Sequence, residues 1–248
     1  MASQLPILFL QKMRRRIKET TVDAIIIGDV WVDASNKVTY DKMRSYCLGD
    51  TVDSVMNYPL REAAIGFLTG TMDAVDFKRH MDSLYENYPV PFAKSLLNVM
   101  GSHDRARALN VLGGAEGADL PRAEQACHVM TPKARLLGMK RLMLLAQLVV
   151  AMPGMPCVYY GDEAGMEGCA DPFNRGTFPW WQEDQSLVAY FRQVLARWRK
   201  VDALPHGTLS IEAPCADVLC IRRETEWPAA CPPIHPGHRA PKGCVGNR

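Results

Sequence analysis

The sequence lacks any apolar run long enough to cross a bilayer, because no stretch reaches the roughly 18 residues that a membrane helix needs. The apolar stretch at residues 5–10 is too short for the core of a signal peptide, and basic residues follow it where they should precede it. These absences predict a protein without a membrane partner, in the cytoplasm.

A strong excess of charge of either sign is also missing. The 248 residues include 29 Lys plus Arg and 27 Asp plus Glu, which gives a formal net charge of +2. Proteins dedicated to nucleic acid normally carry a clustered basic excess, so no nucleic-acid partner is predicted. The one basic run, residues 14–16, lies among apolar positions Phe9, Met13 and Ile17 at helical spacing, which indicates the solvated face of a helix.

The 8 cysteines form no pattern typical of a disulfide framework. Four are isolated among apolar or small residues, where free thiols are expected: Cys47, Cys127, Cys157 and Cys169. The carboxyl-terminal tail contains residue types that ligate zinc: Cys231, His235, His238 and Cys244. Their spacing fits no common zinc site, so no metal is predicted.

Two apolar segments each run directly into a carboxylate. Residues 24–31 read AIIIGDVW and contain Asp29, and residues 96–104 read LLNVMGSHD and end at Asp104. A charge left in a protein core costs several kcal/mol or more, so a buried strand must release such a group into a site. Paired acids at strand ends therefore predict chemistry at that place.

Strand-like and helix-like segments alternate along the chain. Further strands are predicted at residues 51–59 and 156–160, and helix starts at the capping residues Asp73, Thr131 and Asp184. Strands separated by helices run parallel, and functional groups at their carboxyl ends are typical of a (β/α) barrel. Only four such strands are found, whereas a closed barrel requires eight.

Several motifs occur in a fixed order: GDVWVDAS at 28–35, DSVMNYPLR at 53–61, GSHD at 101–104, PGMPCVYYGDEAG at 153–165 and DPFNR at 171–175. Together they resemble the second half of the catalytic barrel of α-amylase-type glycoside hydrolases, nearest to neopullulanase and cyclomaltodextrinase. The resemblance covers residues 8–212.

The resemblance implies an α/β fold, a partial TIM (β/α)8 barrel that holds strands five to eight and their helices. Residues 1–203 would be the carboxyl-terminal half of the catalytic barrel, and residues 204–226 a remnant of the carboxyl-terminal β domain. Residues 227–248 show no periodicity and are predicted to be a disordered or aberrant tail.

By the same resemblance, Asp29 occupies the position of the general acid, where the family usually has glutamate. Aspartate is one methylene shorter, which draws the acid back by about 1.5 Å. Retaining glycosidases hold their two carboxyls about 5–5.5 Å apart, and a 1 Å misplacement can cost about a hundredfold in rate. Asp104 would stabilise the transition state, and His103 would bind hydroxyls of the same sugar.

Four further residues are predicted to bind substrate, each with a second interpretation. Trp31 and Tyr160 either stack on a sugar face or fill space at the barrel top, and packing is favoured for Trp31. Asp171 and Arg175 either contact substrate or form a local ion pair.

The family nucleophile, an aspartate in an Arg-x-Asp pattern on the fourth strand, is not found before Phe9. The chain is therefore predicted to be a fragment of an α-glucan hydrolase that is inactive alone, although its intact parent would cleave α-1,4-glycosidic bonds with retention. The alternative is a non-catalytic carbohydrate-binding or assembly half that needs a complementing chain. The expected partner is an α-glucan oligosaccharide, with self-association through open sheet edges. No cofactor is predicted, and calcium in the parent is left open.

Overall fold

A computed structural model describes residues 4–39, 41–115, 117–225, 229–230, 234 and 236. Its helices are α1 Ile7–Thr20, α2 Tyr58–Thr69, α3 Ala74–Glu86, α4 Val90–Ser95, α5 Ala108–Leu112, α6 Arg122–Gln125, α7 Pro132–Ala151, α8 Gln185–Lys200 and α9 Ala203–His206. Its strands are β1 Ile27–Gly28, β2 Val38–Thr39, β3 Lys42–Met43, β4 Ser54–Val55, β5 Leu97–Val99, β6 Met155–Cys157, β7 Thr208–Cys215, β8 Val218–Glu224 and β9 Ala229–Ala230.

Four short parallel strands form the centre of the fold. β1 pairs with β4, β5 pairs with β6, and a parallel bridge between Met56 and Leu97 joins the two pairs. The order is therefore β1-β4-β5-β6. Helices lie in the connections from β4 to β5 and from β5 to β6, whereas β2 and β3 lie between β1 and β4, so the predicted alternation of strands and helices does not hold there. Each of the four strands is predicted, but all are shorter than the apolar runs suggest.

The two outer strands are less buried than the inner ones. Both residues of β4 are buried, as are Asn98 and Val99 of β5, whereas all three residues of β6 are only half-buried. On β1, Ile27 is 41% exposed, and the nearby Ile25 is 62% exposed. Within the described residues, the outer edges of β1 and β6 have no strand beside them. The sheet therefore has two open edges with apolar residues on one of them.

The segment at residues 51–59 departs from its prediction as a continuous strand. β4 ends at Val55, and Asn57 caps α2 by accepting a hydrogen bond from the Leu60 backbone N–H at 3.2 Å. Pro59 lies in the first turn of that helix, where its fixed φ is favourable and its missing N–H costs nothing. The proline thus opens a helix that the sequence analysis missed.

The other predicted helix starts are confirmed. Asp73 accepts from the Asp76 backbone N–H at 2.8 Å, Thr131 from Ala134 at 3.3 Å and Asp184 from Leu187 at 3.2 Å. These caps open α3, α7 and α8 respectively. Half of the 20 residues of α7 are buried, so this helix packs within the core.

An antiparallel hairpin of β7 and β8 follows α9, with Ile211 opposite Ile221. Buried Arg223 ties the hairpin to the helices by donating to the carbonyls of Ala151 at 3.2 Å and Gly207 at 2.6 Å. β9 pairs with β8, and Ile234 bridges to Leu219. These two short parts of the predicted disordered tail are therefore paired with the sheet, and the rest of the tail lies outside the described residues.

The four cysteines that are predicted to be free have free thiols, as does Cys220, whereas Cys215 is disulfide-bonded. The zinc-type residues of the tail lie outside the described residues. Among those described, no group of three or more His, Cys, Asp or Glu could hold a metal ion. No helix in the described part of the chain is long and apolar enough to span a membrane.

Candidate active site

The carboxyl ends of three parallel strands meet around Tyr58, the first residue of α2. The Tyr58 hydroxyl is buried and donates to Ser102 Oγ at 2.9 Å, and Ser102 Oγ also accepts from the Asp104 backbone N–H at 3.2 Å. Burial is the main cause that raises the pKa of Tyr58, and the negative charges of Asp29 and Asp104 raise it further. The two predicted carboxylates lie around Tyr58, because Asp29 accepts from Trp31, whose ring packs against Tyr58, and the Asp104 N–H shares Ser102 Oγ with the Tyr58 hydroxyl.

Trp31 contacts the carboxylate of Asp29. Its indole Nε1 donates to Asp29 Oδ1 at 2.7 Å, and its ring centroid lies 4.9 Å from that of Tyr58. The Arg105 guanidinium lies 4.8 Å from the Trp31 ring centroid, in cation–π contact. These contacts agree with the packing interpretation of Trp31, since the indole is fixed between protein groups.

His103 and Asp104 follow β5 and remain partly accessible. His103 Nε2 lies 3.3 Å from Asp104 Oδ1, and Arg175 Nη2 lies 3.8 Å from the same oxygen. Arg175 also donates from Nε to Asp171 Oδ1 at 2.5 Å. Asp171 and Arg175 therefore form the ion pair of the second interpretation. Both side chains are about half exposed, so the polar cluster extends from Asp104 towards solvent.

Tyr160 is placed differently from the other predicted residues. Its hydroxyl donates to the Gly176 carbonyl at 2.8 Å, and its ring lies against Tyr159 at a centroid distance of 4.7 Å. It also lines a cavity of about 530 Å³ between the segment that follows β6 and α8, together with Phe178 and Trp180. Among the described contacts, none joins Tyr160 to Asp29 or Asp104.

A buried ion pair supports the loops after β5 and β6. Arg107 and Asp162 have fully buried side chains, and Arg107 Nη1 donates to Asp162 Oδ1 at 3.2 Å. Arg107 also donates to the Tyr160 carbonyl and lies 4.4 Å from the Tyr159 ring centroid. Burial raises the pKa of Asp162 to about 6, and the positive charge of Arg107 opposes that rise. The pair joins the loop that carries Asp104 to the loop that carries Tyr160.

Comparison with known proteins decides the family. The family model of the α-amylase catalytic domain matches residues 6–196. The chain belongs to the α-amylase family. It is 36% identical over 226 residues to the amylopullulanase of Thermoanaerobacter thermohydrosulfuricus, covering 87% of this chain and 14% of that protein. It is 31% identical over 204 residues to neopullulanase 2 of Thermoactinomyces vulgaris, covering 81% of this chain and 29% of that protein.

Solved structures of the family agree with this assignment. The ligand-free cyclic α-maltosyl-(1→6)-maltose hydrolase of Arthrobacter globiformis superposes with a TM-score of 0.75 at 26% identity, covering 93% of this chain and 46% of that one. A cyclomaltodextrinase also superposes with a TM-score of 0.75 at 26% identity, covering 93% and 35%. The chain thus spans less than half the length of these proteins, and less than a third of the two curated relatives above.

Three residues that contact the candidate site were not singled out from the sequence: Tyr58, Arg105 and Asn174, whose side-chain nitrogen lies 2.8 Å from the His103 carbonyl. Tyr58 and Asn174 both lie inside motifs that carried the resemblance, and Arg105 directly follows the GSHD motif. Their adjacency to those motifs was the available signal. Their side-chain partners come from other strands and loops, so no local pattern could assign them a role.

Proposed function

We propose that this chain carries the glucan-holding part of an α-amylase-family active site, with strands five to eight of the barrel as β1, β4, β5 and β6. Asp29 occupies the acid position, and Asp104 with His103 binds hydroxyls of the sugar at the cleavage point. The observation that carries the proposal is the contact of both segments with Tyr58: Trp31, which bonds Asp29, packs against its ring, and Ser102, which bonds the Asp104 N–H, accepts from its hydroxyl. The intact parent would cleave α-1,4-glucosidic bonds with retention.

The ligand class is an α-glucan oligosaccharide. Structures of the Arthrobacter globiformis hydrolase are complexes with cyclic α-maltosyl-(1→6)-maltose and with maltose. Carboxylates with an adjacent imidazole suit such a ligand, because hydrogen bonds from sugar hydroxyls to a charged acceptor are among the strongest available at neutral pH. The cytoplasmic location remains a prediction.

We further propose that the 248-residue chain alone does not hydrolyse glucans. Retention requires a second carboxylate about 5–5.5 Å from the acid, which attacks the sugar carbon. Around Tyr58 the described carboxylates are Asp29 and Asp104, with Asp171 joined through Arg175 and Glu62 through Arg105. Asp29 and Asp104 are assigned to the acid and to hydroxyl binding, and Asp171 and Glu62 are held in arginine ion pairs, so none of the four supplies the nucleophile.

The purified chain is expected to bind maltohexaose without releasing product. Asp104→Ala should weaken binding at least tenfold, because a charge-assisted hydrogen bond contributes about 1.5–3 kcal/mol. Isothermal titration calorimetry measures affinity, and a chromogenic maltoside measures turnover.

Asp23→Ala is the matched control, since Asp23 is an exposed aspartate in the turn before β1. It should leave maltohexaose affinity unchanged. Turnover by the chain alone would contradict the claim of inactivity, and equal affinity of the Asp104→Ala and Asp23→Ala variants would contradict the assigned binding site.

The open sheet edges favour a second candidate, an assembly half that needs a complementing chain. β1 and β6 are the less buried strands. A polypeptide that supplied the remaining parallel strands would cover both edges. Turnover that appears only after mixing with such a polypeptide would support this candidate.

Self-association through β1 is expected for the chain alone. Ile27→Lys should weaken it at least tenfold, because a charge on an open edge disfavours strand pairing. Sedimentation velocity over a range of concentrations measures the effect. Val129→Lys is the control, since Val129 is exposed in the turn before α7. A wild-type chain that stays monomeric at every concentration would contradict the expectation.

A further inference from the structure

Asn174 is a fully buried amide in the short 3-10 helix Phe173–Arg175, after β6. Its Nδ2 lies 2.6 Å from the Arg105 carbonyl, 2.8 Å from the His103 carbonyl and 3.4 Å from the Ser102 carbonyl. The two hydrogens of one side-chain nitrogen are therefore shared among three carbonyls of a single four-residue segment, residues 102–105, with the Arg105 and His103 carbonyls the nearer two.

The orientation of this amide follows from its surroundings. An amide rotated by 180° would place its oxygen against three carbonyl oxygens, which have no hydrogen to donate. In the orientation present, Asn174 Oδ1 is buried without a hydrogen-bond partner among the described residues. A buried unsatisfied acceptor costs free energy, so the three donated bonds outweigh that cost at this position.

We infer that Asn174 is a positioning residue that holds residues 102–105 in the conformation that binds glucan. The inference deepens the proposed function and rests on it, because His103 and Asp104 are the groups assigned to the sugar hydroxyls. Fixing the carbonyls of Ser102, His103 and Arg105 fixes the backbone on both sides of Asp104. The neighbouring Arg175 lies 3.8 Å from Asp104 Oδ1, so one short helix sets both the backbone and the charge partner of that carboxylate.

Several other contacts restrain this loop. They are the bonds from the Tyr58 hydroxyl and the Asp104 N–H to Ser102 Oγ, a 3.3 Å backbone bond from Arg105 to Ser102, and the contacts of the Arg105 and Arg175 side chains. Tyr58 reaches only the Ser102 side chain, and the others act within the loop or through accessible arginine side chains. Among the described contacts, Asn174 alone donates from a buried side chain to the backbone carbonyls of the loop, so its removal should release the loop without unfolding β5.

The test measures maltohexaose affinity by calorimetry in the 248-residue chain. Asn174→Ala is expected to weaken maltohexaose binding about tenfold, because the loop loses the hydrogen bonds that the Asn174 side chain donates to its carbonyls. Amide hydrogen exchange in residues 102–106 should become faster. The matched control is Asn110→Ala, since Asn110 is also buried and its Oδ1 accepts from the Gly168 N–H at 2.7 Å. That variant should lower the melting temperature but keep affinity within about twofold of the wild type.

A second variant separates positioning from general stability. Asn174→Asp keeps the shape but places an acceptor against the three carbonyls, so its affinity relative to wild type should fall at pH 7. Relative affinity should recover partly as the pH is lowered, because a protonated carboxyl can donate one of the lost bonds. A purely structural loss would not follow the protonation of the introduced group.

Hydrogen exchange of the Asn174 side chain can be measured in the wild-type protein, so this test does not depend on whether a variant folds. The Asn174 side-chain N–H protons should exchange with solvent at least tenfold more slowly than those of an exposed asparagine in the same NMR spectrum. Free exchange of these protons would overturn the inference, as would affinity and loop exchange that are unchanged in Asn174→Ala. If wild type binds no maltohexaose, the proposed function fails, and the two exchange measurements still decide whether Asn174 holds the loop.

Discussion

Replacing Asp162 with alanine is expected to lower the free energy of unfolding by about 3–5 kcal/mol, because Arg107 would be left as an uncompensated charge inside the protein. Both side chains of the pair are fully buried. Arg107 also bonds the Tyr160 carbonyl, so the loop after β6 should loosen together with the loop after β5. Urea denaturation of the two proteins measures the difference.

Glu212→Ala is the matched control for this prediction. Glu212 pairs with Arg222 at 2.5 Å, but both side chains are about half exposed. An exposed ion pair contributes only about 0–1 kcal/mol, so this variant should unfold close to wild type. If both variants lost the same free energy of unfolding, burial would not explain how much the Arg107–Asp162 pair contributes to stability.

The pH dependence of stability gives an independent measurement on the same pair. Burial raises the pKa of Asp162 from 3.8 to about 6, so the folded state binds this proton more tightly than the unfolded state. The contribution of Asp162 to the free energy of unfolding should therefore fall as the pH rises from about 4 to about 6, and stay constant above that range. Asp162→Asn should remove this component of the pH profile.

Asp29→Glu is expected to raise turnover about a hundredfold in a chimaera whose amino-terminal barrel half comes from a cyclomaltodextrinase. The chimaera supplies the nucleophile strand, and glutamate advances the acid by about 1.5 Å towards the glycosidic oxygen. Misplacement of a catalytic group by about 1 Å lowers the rate about a hundredfold, so correcting the position of the acid should raise turnover by about that factor. In the 248-residue chain alone, the same substitution should give no turnover.

Hydrolysis of a chromogenic maltoside measures both proteins, and Asp23→Glu is the control because it adds the same methylene at an exposed aspartate outside the site. Rescue of the chain alone by Asp29→Glu would mean that the catalytic set is misassigned. A chimaera whose turnover does not respond to Asp29→Glu would remove Asp29 from the acid position.

Local signals predicted much of the fold. Asp73, Thr131 and Asp184 precede apolar residues at helical spacing, and each caps the helix that was expected. These predictions succeeded because capping and periodicity depend on residues within about one turn or one strand of each other. The segment at residues 51–59 failed because Pro59 is compatible with either a strand end or a helix start.

The sequence by itself determined the family and placed Asp29, His103 and Asp104 after strands, since ordered motifs and apolar runs are properties of the chain alone. The tertiary structure decided which side chains serve these groups: Tyr58 between the two carboxylates, Arg107 against Asp162, and Asn174 across residues 102–105. Those contacts join segments up to about 70 residues apart along the chain. A buried charge or amide finds its partner only when strands and loops pack, because burial is what makes an unpaired polar group costly.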